Sequence, residues 1–80
     1  MSRIVPWESL ETGHEYYEEW RACTACLRCK VLGTNPRGGK EMRYWGDEIK
    51  TWSQTTIKSR EFRYWDSEPT IDERQEVRWA

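Results

Sequence analysis

Apolar positions between Tyr16 and Val31 recur with a helical rhythm. Tyr16, Trp20, Cys23, Leu27 and Val31 are spaced by 4, 3, 4 and 4 residues, which places one apolar stripe along a helix of period 3.6. Thr12 and Glu15 stand in the T-x-x-E relation of a capping box. Glu15, Glu18 and Glu19 fill the first turns and Arg28 and Lys30 the last, matching the helix dipole. Gly33 and then Pro36 supply a stop. The pattern predicts one long amphipathic helix over about residues 13–32. On this reading Glu18 and Glu19 are ordinary solvated charges.

After a Gly/Asn/Pro-rich connector at 33–40, the pattern changes to alternation. Glu41-Met42-Arg43-Tyr44-Trp45-Gly46-Asp47-Glu48 is echoed by Glu61-Phe62-Arg63-Tyr64-Trp65-Asp66-Ser67-Glu68, identical at five of eight positions. Gly46-Asp47 suits a two-residue hairpin turn, and a second turn at Ser59-Arg60 gives strands at about 41–45, 48–58 and 61–65. In that register Tyr44 faces Ile49 and Met42 faces Thr51. Met42, Tyr44, Ile57, Phe62 and Tyr64 then share the side that receives the helix, while Trp45, Trp52 and Trp65 share the other. The expected fold is α+β: one long amphipathic helix packed on a three-stranded antiparallel meander. The tail is a candidate fourth strand, because Ile71, Val77 and Trp79 share parity; Thr70 and Glu73 could instead cap a short helix. Residues 1–11 read as irregular, with Pro6-Trp7 as an anchor.

Composition adds one domain, 1–80, near the lower size at which a chain buries a useful core. Aliphatic residues are scarce, and six Trp and four Tyr supply the missing apolar mass. No apolar run is long enough to span a membrane, and the opening residues carry no apolar leader. A cytoplasmic location follows as an expectation, or a host cytoplasm or assembled particle if the protein is viral. Formal charge is −4 over residues 1–20, +5 over 21–43 and −2 over 44–80, so a locally basic middle is hidden in a net charge of −1.

Two constellations carry candidate chemistry. Cys23, Cys26 and Cys29 form C-x-x-C-x-x-C, the spacing by which thiolates grip zinc or an iron–sulfur cluster, with His14 the one histidine available as a fourth ligand. Lying within the predicted helix, and with no second C-x-x-C, the three are read as small apolar residues, and no cofactor is expected. The second constellation is Arg43, Trp45, Lys50, Trp52, Arg63 and Trp65 on the predicted outer sheet face. Trp and Arg are the usual anchors of protein interfaces, and aromatic rings among cations also suit nucleic acid. A covering segment of the chain itself is the bland alternative. No His is paired with a nucleophile in a recognisable order, so no enzyme is expected. The leading expectation is a small protein-binding or assembly module, such as an accessory inhibitor or structural subunit, with a protein partner or a second copy of itself. The competing expectation is a metal-stabilised, nucleic-acid-binding regulator.

Overall fold

A computed structural model describes residues 1–79. Its principal element is a six-stranded antiparallel sheet, not a long helix on a meander. The strands are β1 (Ile4–Val5), β2 (Glu15–Trp20), β3 (Cys26–Thr34), β4 (Lys40–Tyr44), β5 (Ile49–Trp52) and β6 (Phe62–Trp65), with short helices α1 (Gln54–Arg60) and α2 (Ile71–Glu76). Their order across the sheet is β1-β6-β2-β3-β4-β5. A single 3-10 turn occupies Trp7–Ser9.

The helix expected over residues 13–32 is replaced by the hairpin β2–β3, in which Glu15 pairs with Lys30 and Glu19 with Cys26. The physical reason lies in the spacing itself. A separation of four residues is one helical turn and also two strand pleats, so Tyr16 and Trp20, or Leu27 and Val31, share a face in either structure. Leu27-Arg28-Cys29-Lys30-Val31 in fact alternates apolar and polar strictly, the period of a half-buried strand. Thr12 caps nothing. Gly13 takes a φ of +87° and its amide donates to the Val31 carbonyl, extending the ladder instead.

The expected meander fails for two reasons. First, the β4–β5 turn holds three residues, Trp45–Asp47, with Gly46 and Asp47 both at positive φ, and the Tyr44 amide donates to the Glu48 carbonyl at 2.8 Å. Met42 therefore pairs with Lys50 and Arg43 with Ile49, one residue from the expected register. That slip turns every β5 side chain over: Trp52 joins Tyr44 and Tyr64 on the inner face, and Ile49 points outward, 55% exposed. Second, the expected strand 48–58 ends at Trp52 because Ser53 caps α1, its hydroxyl accepting from the Thr56 amide at 3.1 Å. The chain then turns at Glu61, in the left-handed region, and β6 inserts between β1 and β2. The tail forms no fourth strand. Thr70 and Glu73 make a full capping box and start α2.

The inner face and the elements covering it form the core: Trp7, Leu10, Tyr16, Cys29, Val31, Met42, Ile57 and Tyr64 are buried, with Val5, Tyr44, Trp52 and Phe62 packed around them. Burying each large apolar side chain contributes about 1.5–3 kcal/mol. Between β6 and β5 lie β2, β3 and β4, so a flat sheet would separate those two strands by roughly 19 Å. Yet the rings of Trp52 and Phe62 meet edge to face with centroids 5.5 Å apart. The sheet is therefore curled, and α1 bridges from β5 to β6 with Ile57 in the core.

Candidate functional site

Curling creates a concave cleft of about 970 Å³. The strand β2 supplies its floor. Because side chains alternate, Tyr16, Glu18 and Trp20 all point inward, and Glu18 is completely buried. Three neutral donors satisfy it: Trp20 Nε1 at 2.6 Å, Tyr64 Oη at 2.7 Å and Tyr44 Oη at 2.5 Å. Trp52 Nε1 in turn donates to Tyr44 Oη at 2.7 Å. Burial, reinforced by the Glu18 carboxylate, pushes both phenols far up, so Tyr44 and Tyr64 stay protonated as donors. Cys29 lies beneath, its thiol donating to the Tyr16 carbonyl at 3.5 Å and likewise pushed up by burial.

The walls are aromatic. Trp20 stacks on Phe62 with centroids 5.2 Å apart. Trp52 meets Phe62 edge-on, and Arg60 and Lys50 lie 5.3 and 5.7 Å from its ring centre. The β3–β4 ladder begins only at Cys29 and Tyr44, so Leu27 and Arg28 pair on one side alone. Past that free stretch and the Trp45 turn, the cleft continues to Arg28, Lys30 and Arg43. Trp45 stands on the rim, 88% exposed.

Glu19, the next residue, points the opposite way. It is 5% exposed and accepts from Arg63 Nε at 2.6 Å, Trp65 Nε1 at 2.8 Å and Arg74 Nε at 3.2 Å. Burial opposes its ionisation, but these donors and the Arg63 charge prevail and hold the carboxyl below its ordinary value. Arg63 also donates to the carbonyls of Arg74 and Val77 and lies 4.1 Å from the Trp79 ring centre. The cluster fastens α2 to the outer face.

The six residues expected on one Arg/Trp face are thus divided. Arg43, Trp45, Lys50 and Trp52 line the cleft, whereas Arg63 and the fully buried Trp65 belong to the Glu19 cluster. The cysteines are also separated: Cys23 is exposed in the β2–β3 turn, Cys26 is half-buried opposite Glu19, and Cys29 is buried on the inner face. His14 sits 3.3 Å from Glu11 in an exposed pair. Among the described residues no three His, Cys, Asp or Glu side chains are grouped to hold a metal ion. Glu18 and Glu19, read from sequence as solvated, are the buried centres of the two networks. The one signal for Glu18 was that it shares strand parity with Tyr16 and Trp20. No helix among the described residues is long and apolar enough to cross a membrane. No protein family, curated protein or solved structure matches this chain significantly.

Proposed function

We propose that this chain is a non-enzymatic binding module that engages a protein partner through the aromatic cleft. The carrying observation is the contrast between floor and rim. The floor's polar groups are already committed to one another, with no buried side-chain donor or acceptor unsatisfied among the described residues. Glu18 spends its oxygens on three donors and so has a positioning role, holding Trp20, Tyr44 and Tyr64 in place. The rim keeps Trp45 exposed beside Leu27, and its five cations outnumber the acids Glu15, Asp47 and Glu48. Apolar surface of this kind, concave and rimmed by charge, is what a partner desolvates on binding. Three free thiols suit a reducing compartment such as the cytoplasm.

Selection from a displayed library of random peptides tests the proposal. Peptides should be enriched that bind the wild-type chain and lose about tenfold or more in affinity with Trp45→Ala. Because Trp45 is exposed and outside the core, that variant should melt at the wild-type temperature. Failure to enrich any peptide whose binding depends on Trp45 would overturn the reading.

A further inference from the structure

We infer that the segment entering the cleft is acidic and carries a bulky apolar side chain, an inference that rests on the binding-module reading above. Charge on the rim is the first observation. Lys30 and Arg43, which the pleat sends to the Glu19 side of the sheet and which border the cleft around the free edge of β3, are directly opposed across the β3–β4 ladder, an arrangement of like charges that destabilises a sheet. Glu15, the acid opposite Lys30 on β2, is engaged by Arg28 at 3.6 Å. Neither Lys30 nor Arg43 forms an ion pair among the described residues. A carboxylate placed between them would remove the repulsion and gain two charge-assisted hydrogen bonds.

Ring geometry is the second observation, and it separates a peptide from a nucleic acid. Bases bind by stacking on free aromatic faces. Trp20 and Phe62 are stacked on each other, while Arg60 and Lys50 lie over Trp52. Trp45 alone among the cleft's tryptophans is wholly free to accept a base. What the remaining rings offer is an apolar recess bordered by Leu27, which suits an aliphatic or aromatic side chain. The same cations exclude a positively charged ligand from the Trp52 face, despite the carboxylate beneath it. The backbone of β3 at Leu27 and Arg28, unpaired by β4, leaves an extended peptide a place to lie.

The peptide selection, repeated with charge variants and beside a single-stranded thymidine oligonucleotide, decides the matter. The expected result is enrichment of Asp or Glu next to Leu, Ile, Phe or Trp, with binding weakened about tenfold by Arg43→Glu and by raised salt. The pair Lys30→Glu and Arg43→Glu should turn the selection towards basic peptides. Arg43 is exposed and Lys30 half-buried, and the milder Lys30→Gln, which relieves the repulsion, should keep or raise the melting temperature and still weaken binding. Trp45-dependent peptides that are neutral or basic, and indifferent to Arg43→Glu, would overturn this inference while leaving the module intact. Absence of any Trp45-dependent peptide would overturn both. Oligonucleotide binding that is lost with Trp45→Ala would replace the acidic segment by a nucleic acid.

Discussion

Glu18 and Glu19 are consecutive, both are buried, and the pleat of β2 sends them to opposite faces of the sheet. Glu18 accepts only from neutral groups, two phenols and an indole. Glu19 accepts from two guanidinium groups and an indole. The first arrangement holds the aromatic walls of a cleft in place. The second neutralises its own charge and ties a C-terminal helix to the sheet. A buried carboxylate therefore has two uses in one small domain: it can order side chains that meet a partner, or it can join elements of secondary structure.

The comparison is broken most directly by Arg63→Ala. Removing one partner of a buried ion pair leaves Glu19 undercompensated, and a loss of about 3–5 kcal/mol is expected in urea unfolding. A loss below about 1 kcal/mol would show that the ionic cluster does not carry α2. Acid titration sharpens the same point. The folded-state value of Glu19 lies below its ordinary value of about 4.3, so its stabilising contribution is fully present above that pH and is lost as pH falls through the folded value. Arg63→Ala should flatten this part of the stability–pH curve, measured by thermal melts at successive pH values. Glu18→Gln is expected to cost less, about 1–3 kcal/mol, since the amide keeps the shape but brings donors where hydroxyl groups already donate. Equal losses for Glu18→Gln and Arg63→Ala would erase the distinction between the networks. The smallest effect is expected from Thr70→Ala, about 1 kcal/mol, because the cap orders the start of α2 while the Glu19 cluster holds it in place.

Parts of this arrangement were legible in the sequence. The reversal at Gly46-Asp47 follows from local turn chemistry and the strand at Phe62–Trp65 from its echo of residues 41–48, although the turn expected at Ser59-Arg60 is the end of α1. The Thr70/Glu73 cap reads from sequence only as the alternative to an extended tail. The hairpin β2–β3 was not legible as such, because its connection, Arg21-Ala-Cys-Thr-Ala25, contains no Gly, Pro, Asn or Asp to announce a turn. The Thr12/Glu15 capping pair, the dipole-matched charges and a four-residue apolar spacing then favoured the wrong period. The β4–β5 register was missed by one residue because Trp45, read as the last strand residue, joins Gly46 and Asp47 in the turn. Of the cleft, Arg43, Trp45, Lys50 and Trp52 were picked out as Trp and cations sharing one face of the expected meander, a face the actual register divides. The floor was not, because Glu18 gains its partners Tyr44 and Tyr64 only through pairings across 26 and 46 residues.

Placement of β6 between β1 and β2 has a consequence in time. Strands β2 to β5 follow one another through successive hairpins, so their pairing needs only short loops to close. β6 comes from beyond α1 and must close a far longer loop, the slow kind of contact. Its arrival brings Tyr64 to Glu18 and Arg63 and Trp65 to Glu19, and supplies the only strand on which β1 can pair. Contacts made after the main barrier act on the rate of unfolding more than on the rate of folding. Substitutions in Phe62–Trp65 should therefore hasten escape from the native state while leaving the refolding rate nearly unchanged, and the lifetime of the closed cleft is set by the strand that completes both carboxylate networks.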